Sequence, residues 1–278
     1  MIDCVPYELG LRSGGRRPAA ELLGETMSEV SGSKFRSIAL GMAVASVALL
    51  GTACVPPGGG PSCTDTVLTI QPGTPGNTPA SYPASGWWSA DTRTNGTVDV
   101  NTDLAAPPGF GCKSAKLTTG AATGSPLQDK AQLFNFSVAN TGTLLASINT
   151  ISYWANRSSG GPAATVALNV QITGTGVPTG FATLVYEPYN QSGGQGAIVN
   201  GTWQYWNATA TTPGDGLWWS NKIPSGPGSQ GSPMTWAAFQ TAYPLAEIGG
   251  YGLNLGSNNP FIVAAADGLQ FGATTTDF

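Results

Sequence analysis

The chain has 278 residues, 41% of them hydrophobic and only 9% charged, with 11 Lys/Arg against 15 Asp/Glu and no histidine. A net charge of −4 argues against the basic patch that nucleic-acid binding requires. The missing imidazole removes His-based triads and most metal-hydrolase sites, and recurrent apolar runs exclude a disordered chain.

In chain order, residues 1–26 lack a sustained apolar period and read as an upstream extension of the reading frame. Met27 opens a short region carrying Lys34 and Arg36, an uncharged Ala/Leu/Val-rich run follows from Ser37 to Ala53, and Gly51-Thr52-Ala53 precedes Cys54. That order predicts a secretory signal peptide over 27–53. Two alternatives stay open: a retained anchor, because the run sits at the lower edge of what spans a bilayer, and a signal peptide that begins at Met1. Cleavage after Ala53 and cleavage with lipidation of Cys54 both fit. The lipoprotein pattern prefers Leu three residues before the cysteine, where this chain has Gly51. Residues 54–63, with "VPPGGGPS", form a Pro/Gly tether. The expected location is therefore secreted or cell-surface, with a membrane contact only through a lipid on Cys54.

Cys4 lies in the extension and Cys54 at the lipid position, which leaves Cys63 and Cys112 as an even pair in an oxidising compartment. Bridged, they would close a ring of about 50 residues and stabilise by ~4 kcal/mol in the chain-entropy model. The rival pairing is Cys54–Cys63 with Cys112 left over.

Residues 64–278 carry short apolar segments separated by Gly/Pro/Asn turns, which predicts an all-β fold: an antiparallel, jelly-roll-like β-sandwich of about ten strands with one short helix. In "ATVALNVQIT" (164–173), Val166, Leu168, Val170 and Ile172 share one face and Ala167, Asn169, Gln171 and Thr173 the other, the pattern of a strand with one buried face. "QLFNFSVA" places Phe134, Phe136 and Val138 together. "VLTIQ", "TVDVN", "SAKLTT", "INTISYWA", "FATLVYE", "YGLNLG" and "FIVAAADGLQF" read as further strands, and Asn95-Gly96 signals a tight turn. "TWAAFQTAYPLAEI" breaks the pattern. Thr235 suits an N-cap, Trp236, Phe239 and Tyr243 recur at helical spacing, and Pro244 stops the run, so a helix is expected near 235–243.

The strings "GWWSADTRTNGTVDV", "PPGFGCKSAKLTTG", "DKAQLFNF", "TLVYEPYNQSGGQGAIVNGTWQYWNA", "TWAAFQTAYPLAEIGGYGLNLGSNNPFIVAAADGLQFG" and "TTTDF" resemble a jelly-roll-like β-sandwich domain family of secreted and surface bacterial proteins. The resemblance runs over roughly residues 85–278. It implies a fold and an extracellular location, and it implies no activity.

Two features stand out as candidate sites. "GTWQYWNATATTPGDGLWWSN" (201–221) holds Trp203, Tyr205, Trp206, Trp218 and Trp219. Flat aromatic faces stack on sugar rings, so an extracellular glycan is the expected partner of these five residues. The competing reading is that strand parity sends most of the rings into the core. The second feature is Asp267, which has the parity of Val263, Leu269 and Phe271. A carboxylate on an apolar face needs compensation: either Gly268 forms a bulge that turns it outward, or a structural Ca²⁺ binds there. No other cofactor is expected. Glu187 ends a strand before Pro188, a position that suits a solvated carboxylate. "GTGVPTG" (174–180) lacks the Lys-Ser/Thr of a phosphate loop. With no catalytic motif, the expected function is a non-catalytic, exported surface domain that binds a glycan or other extracellular ligand. A purely structural envelope or spacer role and an Asp/Glu-dependent glycan hydrolase are the alternatives.

Overall fold

The computed structural model describes residues 68–73, 86–121, 129–139, 141–160, 164–257 and 259–278. The chain divides into two units, Met1–Pro57 and Gly58–Phe278, and every described residue belongs to the second. The signal peptide, Cys54, the tether and Cys63 lie outside the described residues.

The described chain forms two sheets, mostly antiparallel, as the alternating pattern predicts. In chain order the strands are β1 (Ile70–Gln71), β2 (Trp87–Trp88), β3 (Thr97–Asn101), β4 (Ser114–Thr118), β5 (Ala131–Asn135), β6 (Ile151–Ser159) and β7 (Ala167–Thr173). They continue with β8 (Phe181–Tyr186), β9 (Gln204–Asn207), β10 (Leu217–Trp219), β11 (Met234–Thr235), β12 (Glu247–Leu255), β13 (Val263–Phe271) and β14 (Thr274–Thr276). One sheet has the order β1-β2-β5-β12-β7-β8-β10-β11; the other runs β3-β4-β13-β6-β9, with β14 paired to β13. Among the named strands, the two-residue pair β1–β2 is the parallel one, and an isolated parallel bridge joins Arg157 to Asn200. The strand number exceeds ten because short pieces at sheet edges, such as β2, β10 and β11, add a few ladder bonds each.

The core between the sheets is built from the inward parity of each strand. Leu133 on β5, Leu168, Val170 and Ile172 on β7 (with Val166 just before it), Leu184 and Tyr186 on β8 and Leu253 on β12 meet Leu117, Tyr153 and Ala264 from the second sheet. The outward residues of β7 depart from the expectation of one solvated face. Asn169 is 6% and Gln171 0% exposed. Material on both faces of this strand therefore excludes water. One neighbour is a second, smaller cluster in which Phe134 and Phe136 pack with Ala90, Ala139 and Trp88. Gly252 makes that packing possible, because a Cβ there would stand 2.0 Å from the Leu133 carbonyl oxygen and 2.8 Å from Phe134 Cα.

The expected helix is α1 (Trp236–Ala242). The Ala238 N–H donates to Thr235 Oγ1 at 3.3 Å, which caps it. Trp236 and Phe239 are buried, and Trp236 Nε1 donates to the Ile148 carbonyl at 2.6 Å.

A groove on the outer face of the eight-stranded sheet

Strand order brings residues far apart in sequence into one row. In register, Gly252 on β12 faces Asn169 on β7, Asn169 faces Val185 on β8, and Val185 faces Trp219 on β10. Trp219 and Asn169 thus flank Val185 with two strand spacings between them, roughly 10 Å. The row lies on the sheet face away from the core, and its three side chains, Asn169, Val185 and Trp219, line a groove of about 560 Å³. Asn254, Thr165, Glu187 and Tyr189 line it too. A contiguous lobe of about 300 Å³ shares Asn169, Val185, Trp219, Arg93 and Lys130 and adds Phe181, Thr183, Asp91 and Lys222.

The groove is polar at its base. Thr165, Asn169 and Asn254 are 5%, 6% and 8% exposed. Their side-chain oxygens, Thr165 Oγ1, Asn169 Oδ1 and Asn254 Oδ1, take no hydrogen bond from any described residue. Buried polar atoms are nearly always partnered, and an unmade bond at such an atom costs about 1–3 kcal/mol. All three belong to residues that line the groove, so its base is polar.

The aromatic wall is oriented. Trp219 Nε1 donates to Glu187 Oε2 at 2.8 Å, and Asn190 Nδ2 donates to the same oxygen at 2.8 Å. Glu187 is half-buried rather than solvated, with Asn190 of the turn at Pro188–Asn190 and Trp219 of β10 against its carboxylate. Burial raises its affinity for a proton above the usual carboxylate range, and the hydrogen bonds from Trp219 and Tyr189 only partly oppose this. Tyr189 is pushed up to about 12 by burial first and then by the neighbouring Glu187 charge.

The opposite wall is ionic. Arg93 Nε and Nη2 donate to Asp91 Oδ1 at 3.0 Å and Oδ2 at 2.8 Å, and Lys130 Nζ donates to Asp91 Oδ2 at 2.7 Å. The predicted Asn95-Gly96 turn sets this up. Gly96 N–H donates to the Arg93 carbonyl at 2.7 Å, and Arg93 N–H donates to the Lys130 carbonyl at 2.8 Å, which ties the two cations' backbones together. Asp91 itself sits at φ 52, a backbone conformation unusual for a residue with a Cβ. Burial raises the Asp91 proton affinity, but the bonds and charges of Arg93 and Lys130 outweigh it and leave the carboxyl below its usual range.

The five aromatic residues of 201–221 do not gather in one place. β9 belongs to the six-stranded sheet and β10 to the eight-stranded one, so their outward residues face opposite ways. Trp206 and Trp218, both 0% exposed, are core residues and offer no ring to a ligand. Trp218 Nε1 is satisfied by the Ala208 carbonyl at 2.7 Å. Tyr205, 50% exposed, lies on the outer face of the six-stranded sheet against its register partner Trp154, with ring centroids 5.5 Å apart. Trp203, on the same segment, is half-buried, and its Nε1 donates to the Leu104 carbonyl at 3.3 Å. Of the five, Trp219 alone lines the groove. The residues that accompany it carried a weak signal in the sequence: Asn169 and Asn254 are amides inside strands, where asparagine is depleted.

Asp267 is 0% exposed, so the bulge does not turn it outward. The bulge exists: the register shifts between Asp267 and Gln270, and Gly268 takes φ 56 beneath the Phe110 ring. Asp267 Oδ1 accepts from Gly268 N–H at 2.7 Å and Phe278 N–H at 2.9 Å. Donors rather than oxygen ligands surround this atom, and among the described residues no three His, Cys, Asp or Glu side chains gather as a metal site would require. The geometry fits a carboxylate balanced by backbone dipoles.

No protein-family model, curated protein or solved structure matches the chain.

Proposed function

We propose that residues 64–278 are an exported, non-catalytic surface domain that binds a glycan in the groove on the outer face of the eight-stranded sheet. The observation that carries this reading is a groove that sets the oriented Trp219 ring beside the polar residues Thr165, Asn169 and Asn254. A sugar complements both: hydroxyls for the polar base and an apolar ring face for the indole. Export rests on the 27–53 pattern, with the chain tethered or released at Cys54, and on pairing of Cys63 with Cys112. The resemblance of residues 85–278 to exported bacterial β-sandwich domains supports the same location.

The test is a glycan array followed by titration of tryptophan fluorescence. The best hits are expected to quench or shift the emission, and Trp219→Ala is expected to weaken binding at least tenfold with the far-UV spectrum unchanged. Absence of hits, or a Trp219→Ala protein that binds as well as the parent, would favour the structural role instead.

A hydrolytic reading is favoured by one observation. Two carboxyls line the groove with proton affinities moved in opposite directions, Glu187 upward and Asp91 downward, which is how acid and base pairs are arranged. Both Asp91 oxygens are engaged by Arg93 and Lys130, which opposes its use as a nucleophile. Release of new reducing ends from a bound glycan, abolished by Glu187→Gln, would establish hydrolysis.

A further inference from the structure

Charge is scarce in this protein, and it is unevenly placed. After Cys54 the only cations are Arg93, Lys113, Lys116, Lys130, Arg157 and Lys222, against ten Asp/Glu. Three of those six, Arg93, Lys130 and Lys222, line the smaller lobe of the groove. The only acid lining that lobe is Asp91, which both holds and partly neutralises Arg93 and Lys130. Lys222 makes no ion pair among the described residues and is exposed. The lobe thus carries an excess of positive charge in a domain whose overall balance is negative. Glu187, the other groove carboxyl, lines the larger lobe and not this one. The two lobes are joined through Asn169, Val185 and Trp219, so a chain stacked on Trp219 would extend one residue into the cationic lobe.

We infer that the ligand is an acidic saccharide, with its carboxylate or sulfate beside Arg93, Lys130 and Lys222 while a neighbouring sugar face stacks on Trp219. This rests on the glycan reading above and narrows its ligand class. A neutral sugar would leave the excess positive charge uncompensated, whereas an anion makes charge-assisted hydrogen bonds there. Arg93 and Lys130 are held rigid by Asp91, which lowers the ordering cost of binding. The cations flank rather than fill the groove, so the interaction is partly solvated and sensitive to salt.

The probes are a galacturonate oligomer and a chondroitin sulfate oligomer, each beside its neutral counterpart, methyl-esterified or desulfated, within an array that also carries neutral oligosaccharides. At low salt the acidic form of at least one pair is expected to bind at least tenfold more tightly than its neutral form, and the advantage should shrink as salt is added. Which pair responds distinguishes carboxylate from sulfate. Lys222→Gln, at an exposed position that leaves the Asp91 network intact, should reduce the acidic form's affinity several-fold and leave any neutral ligand unchanged. Binding of neutral and acidic forms alike, or neutral hits alone, would overturn the acidic-ligand inference and keep the glycan reading. No hit in any arm would overturn both.

Discussion

Glu187 shows how a single side chain couples the groove to solvent conditions. Its proton affinity in the folded state is raised above the ordinary value of 4.5 by burial. The stabilisation from proton uptake is then fully present below about 4.5 and is lost as pH rises through the folded value. Asp91 has the opposite sign. Its affinity is lowered from 3.8, so its contribution is present above that value and is lost as pH falls through the folded one. In a melting-temperature profile, Glu187→Gln should flatten the loss above 4.5 and Asp91→Asn the loss at the acid end. Profiles parallel to the parent's would contradict these assignments. Asp267 gives a prediction independent of the groove. Asp267→Ala orphans the buried N–H groups of Gly268 and Phe278 and should cost about 2–3 kcal/mol in denaturant unfolding. Asp267→Asn, which keeps an acceptor oxygen, should cost clearly less.

At the scale of elements, helix and sheet place different demands on sequence. The helix depends on its cap and its buried face. Thr235→Ala removes the acceptor for the Ala238 N–H and should cost about 1 kcal/mol, read as a shift in the unfolding midpoint. The β5–β12 pair depends on an absence of atoms. Gly252→Ala would drive a Cβ into the Leu133 carbonyl and the Phe134 backbone, at a cost of at least about 2 kcal/mol, since strands in mid-sheet cannot shift freely. A loss no larger than that of Thr235→Ala would show that the strand pair relaxes more readily than its packing indicates.

At the scale of the whole molecule, the two sheets present unlike outer faces. The eight-stranded sheet offers a polar groove with one indole and an ionic wall. The six-stranded sheet offers the Trp154–Tyr205 pair. Ligand bound in the groove should therefore protect Trp219 from acrylamide quenching and leave Trp203 unprotected. The domain is also expected to carry the Cys63–Cys112 bridge. A non-reducing peptide map of exported protein should recover that pair, and reduction should lower the melting temperature; recovery of both as free thiols would reject the bridge.

Much of the architecture is encoded locally. Period-two alternation marks β3, β7 and β13, because pleating alone assigns successive side chains to opposite faces. Thr235 and the Trp236/Phe239 spacing mark α1, and Asn95-Gly96 marks the turn that sets Arg93 beside Lys130. These signals depend only on neighbours within a few residues. Parity along β9 and β10 likewise shows that the rings of Trp203, Tyr205, Trp206, Trp218 and Trp219 must divide between faces. It does not show that the two strands enter different sheets, which separates Tyr205 from Trp219. The contact of Glu187 with Trp219, the row from Gly252 through Asn169 and Val185 to Trp219, and the meeting of that row with Asp91 and Lys130 all arise from pairings between distant strands. Strand partnership is settled by the free energy of the whole packed core, and no local window of sequence contains it.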